Sequence, residues 1–222
     1  MGIQVGNRRN VLGKWANRLT LICISTLAGI IGPMIFLLVV FIIDFIQPGH
    51  NLIYETVSEL VYGSYGWLQT ISFLLFGTLL MIFAIRLYLV TSRSTISIVG
   101  AAFLGLSGFF FLILGAFPAQ TSGVDTTFQQ LMHNVAAGIT GGSFIIGCFS
   151  FALYFKGDPR WGKYWVYTAI TAIACLFFAL LWAFTPLGLH AKGLDQLLML
   201  LCGFLWLEII SIRLVRLCLV KK

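Results

Sequence analysis

Six long apolar runs, separated by short polar stretches, set the pattern of this chain. They span about Leu19–Ile46, Trp67–Val90, Ile96–Phe117, Phe128–Phe155, Tyr164–Phe184 and Leu194–Leu219. Each is long enough to cross a hydrocarbon core of roughly 30 Å, which needs about 20 apolar residues in a helix. Inside lipid every backbone polar group must be satisfied within the segment, so such runs predict helices. The expected fold is all-α, a polytopic membrane protein with a single bundle of six transmembrane helices. A basic segment, residues 1–18, precedes the bundle at 19–219, and a basic tail, 220–222, follows it. Pro33 interrupts the first run and predicts a kink or a tilt there.

The polar residues between the runs alternate in kind. Arg8, Arg9, Lys14 and Arg18, then Arg86 and Arg93, then Lys156, Arg160 and Lys163, then Arg213, Arg216, Lys221 and Lys222 fall on one side. His50, Glu55 and Glu59, then Asp125 and His133, then His190, Lys192 and Asp195 fall on the other. Basic residues near membrane ends favour the cytoplasm, which predicts both termini inside and a plasma (inner) membrane location. Composition agrees: 59% of residues are hydrophobic and 9% charged, against about 25% charged in soluble domains. The net charge of +7 comes in small groups at helix ends, with no basic stripe, which argues against nucleic acid and for membrane lipids as partners. The five cysteines all lie in apolar runs and read as small hydrophobes. Trp15, Trp67, Trp161 and Trp165 fall near predicted boundaries as interface anchors, and Trp182 and Trp206 deeper, as packing residues. Gly138 and Gly142, four apart, predict close packing of the fourth helix within the bundle.

Chemistry concentrates at the histidine end. His50, His133 and His190 with Glu55, Glu59, Asp125 and Asp195 are the residue types of a catalytic zinc site, which commonly uses three His or His plus carboxylate. No compact ligand pair such as HExxH accompanies them, so the sequence leaves open whether a metal binds, and it points to no cofactor. Polar groups at a wet interface, bonded to loop backbone and water, have the same composition. His133, within a helix mouth and followed by Asn134, is costlier to place than a loop histidine and suits a cavity wall. Glu208 is the deepest acid. A relay role would require a second acid along its path, and the simpler expectation is an ion pair with Arg86 or Arg213.

Four stretches resemble a known family: YETVSELVYGSYGWLQT at Tyr54–Thr70, GAFP at Gly115–Pro118, MHNVAAG at Met132–Gly138 and GLDQLL at Gly193–Leu198. With six helices of this spacing, the chain resembles the prokaryotic membrane proteins catalogued as domain of unknown function 998. The resemblance implies a six-helix inner-membrane protein without an established activity, with its recognisable positions gathered at the histidine end. The chain departs from the pattern after Phe117-Pro118, where Gln120 occupies a region that usually holds an acid.

The leading functional reading is a non-catalytic protein that holds a lipid or small amphipathic ligand in a pocket open to the extracytoplasmic side. Abundant aromatics (20 Phe, 7 Tyr, 6 Trp) beside a few polar groups at one mouth are the usual make-up of a ligand pocket. His133, Glu59 and Asp195 would be its polar anchors, with His50, Glu55, Asp125 and His190 nearby. The alternatives are a metal-assisted hydrolase or transferase acting on outer-leaflet lipids, and a small transporter or channel.

Overall fold

A computed structural model describes residues 26–91, 94–120, 127–184 and 191–220. Six helices account for most of them: α1 (Thr26–Ile46), α2 (Gly66–Val90), α3 (Thr95–Ala116), α4 (Phe128–Gly157), α5 (Tyr164–Phe184) and α6 (Lys192–Val220). All six are long and apolar enough to cross a membrane. Two short 3-10 helices, Val57–Tyr62 and Pro159–Trp161, sit between helices at opposite ends of the bundle. α1 continues unbroken through Pro33. The predicted start of the first run, Leu19–Ser25, lies outside the described residues, as do the N-terminal basic cluster, Arg93, Asp125, His190, Lys221 and Lys222.

Local chemistry fixes the helix ends. Ser94 and Thr127 cap α3 and α4, their hydroxyls accepting the N–H groups of Ser97 and Gln130 at 3.2 and 3.1 Å, as capping residues do. Pro159 opens the second 3-10 helix behind Asp158, whose carboxylate accepts the Arg160 N–H at 3.0 Å. Gly162 then leaves it at φ +49°, a conformation that favours glycine.

Consecutive helices from α2 to α6 pack as neighbours, and α1 lies against α2 and α6. A Cβ on Gly29 would overlap the Ser211 hydroxyl and lie 2.6 Å from the Phe83 ring. A Cβ on Gly77 would lie 2.6 Å from the Gly108 carbonyl oxygen, and one on Gly108 2.8 Å from that of Gly77, so α2 and α3 touch backbone to backbone there. The buried Phe36 ring joins four others, with centroids 5.5 Å from Phe73, 5.4 Å from Phe76, 6.2 Å from Phe111 and 5.4 Å from Phe204. These edge and tilted contacts are the preferred aromatic geometry, and they tie α1 to α2, α3 and α6.

Three packing expectations change. Gly138 and Gly142 are exposed on α4, with open space where a Cβ would stand; the close approaches are made instead by Gly77, Gly108 and Gly147. Trp161 is fully buried and stacks on Phe155 at 3.9 Å, so it packs rather than anchors at an interface. Trp182 is exposed, with the Lys192 ammonium 5.9 Å over its ring. Trp206 does pack in the core, donating its indole N–H to Thr168 Oγ1 at 3.0 Å.

Candidate functional site

At the histidine end, the polar residues form three separate arrangements. The first joins the ends of α3 and α4. His133 is buried in the second turn of α4 and its Nδ1 lies 2.8 Å from the Phe117 carbonyl oxygen. A carbonyl only accepts, so Nδ1 carries a proton. Gln129 donates to the Pro118 carbonyl at 2.8 Å. Gln120 is the hub of this joint. Its N–H donates to Gln130 Oε1 at 2.7 Å, its carbonyl accepts the Tyr62 hydroxyl at 2.5 Å, and its side-chain oxygen accepts from Thr127. Burial, then the nearby charges of Glu59 and Glu55, push the Tyr62 phenol up to about 12.

The second arrangement fastens the first 3-10 helix to α6. Glu59 accepts the Thr56 N–H at 2.5 Å and the Thr56 hydroxyl at 3.0 Å, which spends its carboxylate on a cap. Gln196 Oε1 accepts the Val57 N–H at 2.7 Å, and the Leu194 N–H reaches the Ile53 carbonyl at 3.1 Å. Gly193 permits this approach: a Cβ there would overlap the carbonyl oxygens of Leu52 and Glu55. Asp195 stands in the first turn of α6 and forms no side-chain hydrogen bond or ion pair among the described residues; its neighbour Gln196 makes the contact.

The third arrangement brings Asp44, His50 and Glu55 together. His50 Nδ1 lies 2.7 Å from Asp44 Oδ1, and its Nε2 lies 3.9 Å from Glu55 Oε2. The imidazole is 3% exposed. Glu55 Oε2 also accepts the Asn51 N–H at 2.9 Å.

Thus His50 and Glu55 converge, while Glu59 caps the first 3-10 helix, His133 joins α4 to the end of α3, Asp195 takes part in neither contact, and Asp125 and His190 lie outside the described residues. Among the described residues no three His, Cys, Asp or Glu side chains are grouped as a metal cage. Arg86 and Arg213, the partners expected for Glu208, reach other groups. Arg86 Nε reaches the Thr26 hydroxyl at 3.3 Å. Arg213 donates to the Arg160 carbonyl and lies 5.5 Å over the Tyr164 ring. An ion pair sits at the other end, where Arg160 grips Asp158 at 2.6 Å and also reaches Tyr154 and Val90. Hydrogen bonds from the Arg160 side chain hold the Asp158 carboxyl down at about 2.

Two adjoining cavities run inward beside these joints. The first, about 60 Å³, begins at Val57, Ser58 and Gln196. The second, about 40 Å³, lies deeper, against Phe144, Cys175 and Gly203. Both are walled by Phe111, Thr140, Met199 and Leu200. The lining is apolar apart from a few groups, and one of those is unusual: the Thr140 hydroxyl is buried without a hydrogen-bond partner. Sequence reasoning missed Thr140 and Gln196, and it singled out Gln120 only as a departure from the family pattern. Of the two that were missed, Gln196 carried a signal, its place in the Gly193–Leu198 stretch.

The model of the family described as protein of unknown function (DUF998) matches residues 30–213, and the chain belongs to that family. No curated protein and no solved structure matches the chain.

Proposed function

We propose that this member of the family holds the apolar chain of a lipid or small amphipathic ligand between α1, α3, α4 and α6, entered from the extracytoplasmic side of the inner membrane. The observation that carries this reading is the pair of adjoining cavities with the orphaned Thr140 hydroxyl on their shared wall. A hydroxyl buried without a partner is unfavourable by about 1–3 kcal/mol, and a ligand carbonyl or hydroxyl at that depth would remove the deficit. Water is a weaker occupant, because an ordered water needs two to four polar partners and this lining supplies few. The cavities are small beside ligand pockets of roughly 300–1,000 Å³. The reading therefore requires Met199, the most adaptable side chain on the shared wall, to move aside and join them. Ser58 and Gln196 would meet the polar end of the ligand at the mouth.

Gly141 supplies the test. A Cβ there has no neighbour nearer than the Met199 methyl at 4.0 Å, so Gly141→Leu fills the deep cavity without forcing the backbone. The protein is purified gently, extracted, and its lipids measured by mass spectrometry. The wild type is expected to carry a stoichiometric amphiphile that Gly141→Leu loses while melting normally. An equal lipid content in both proteins, or none enriched over the surrounding membrane in the wild type, would refute the proposal.

A further inference from the structure

We infer that His50 and Glu55 bind a divalent transition-metal cation, with Asp44 orienting the imidazole. With Nδ1–H donated to Asp44 at 2.7 Å, the neutral imidazole aims its lone pair out through Nε2. That Nε2 is buried and has no hydrogen-bond partner. It faces the Glu55 carboxylate oxygen at 3.9 Å, so two lone-pair atoms confront each other across a gap. Such an arrangement is repulsive unless something positive lies between the two groups.

A proton and a metal ion are the two candidates, and geometry favours the metal. A proton on Nε2 would have to draw the heavy atoms to about 2.7–3.2 Å to form a hydrogen bond. Two ligands each about 2.0–2.1 Å from a tetrahedral zinc stand roughly 3.4 Å apart, which the half-exposed Glu55 reaches by moving about half an ångström. A carboxylate on the non-ligating nitrogen is also the common partner of a metal-bound histidine, holding the ring in place and raising its basicity. Nitrogen with carboxylate oxygen suits zinc and its neighbours in the first transition row. The two carboxylates match a dication. Lys192, the single basic residue predicted at this end, turns its ammonium to the Trp182 ring. Two protein ligands leave the remaining positions to water or to a ligand's oxygen. This site is independent of the cavity proposal.

The full chain in lipid nanodiscs, stripped with a chelator, is titrated with zinc chloride by calorimetry and with cobalt(II) by visible spectroscopy. The expected result is about one equivalent bound, lost in His50→Ala, weakened at least about tenfold in Glu55→Gln, and weakened about 10–100-fold in Asp44→Asn. Glu55 is 45% exposed, so its variant keeps the test decisive even where His50→Ala fails to fold. Absence of binding up to about 1 mM zinc, or an affinity unchanged in Glu55→Gln, would overturn the inference. So would His50 ring resonances that follow pH but do not respond to zinc, which would place a proton in the gap.

Discussion

Replacing Gly193 by alanine tests whether α6 and the loop before the first 3-10 helix are as close as the structure places them. The new Cβ would lie 2.9 Å from the Glu55 carbonyl carbon and would overlap the carbonyl oxygens of Glu55 and Leu52. These are backbone atoms, so no side chain can rotate away. Relief requires the start of α6 to withdraw by about 1 Å, and overpacking of this kind costs about 1–3 kcal/mol. The withdrawal also stretches two hydrogen bonds, Leu194 N–H to Ile53 at 3.1 Å and Val57 N–H to Gln196 at 2.7 Å, each worth about 0.5–1.5 kcal/mol. The expected loss is about 2–6 kcal/mol, read from reversible unfolding in mixed micelles of mild detergent and dodecyl sulfate. Gly138→Ala and Gly142→Ala are the controls. Both glycines are exposed with open space around them, and alanine is the better helix former, so neither should destabilise by more than about 0.5 kcal/mol. A Gly193→Ala variant as stable as these two would refute the close approach and the account of that motif built on it.

Two further outcomes follow from the same structure. The Asp158 carboxyl is held at about 2, against an ordinary 3.8, by bonds from Arg160. A depressed folded-state value means that the clasp contributes stability above the unfolded value and loses it as pH falls through the folded one. The thermal midpoint should therefore drop between about pH 4 and pH 2, and Asp158→Asn should remove that step; an unaltered profile in the variant would assign the step to other carboxylates. Arg160 is 41% exposed, so the pair should contribute under about 1 kcal/mol at neutral pH. In the core, Trp206→Phe and Thr168→Val each break the indole–hydroxyl bond of 3.0 Å. A double-mutant cycle should give a coupling of about 0.6 kcal/mol, and at most about 1.7, as for other hydrogen bonds between membrane helices. Strict additivity would place the partners apart.

The sequence by itself determined the fold class and all six helix ends on the histidine side to within one or two residues. Run length and composition decide these, because lipid forces any apolar segment of that length to satisfy its own backbone. The α5 span, Tyr164–Phe184, coincides with the expected one, α2 differs by a single residue at its start, and α3 by a single residue at each end. It also identified where the polar chemistry gathers. It did not determine which of those residues meet. Glu59 proved to be a cap, His133 a bolt between α3 and α4, and the converging groups are Asp44, His50 and Glu55. Contact across helices depends on rotation about each axis, and segments that are apolar on every side carry little signal of that rotation. For the same reason Gly138 and Gly142 looked like a packing face and turned outward, while Thr140, two residues from each, faces the cavities. Tertiary packing alone settles such rotations, because 100° per residue separates neighbours on a helix, and only the surrounding helices decide which of them is buried.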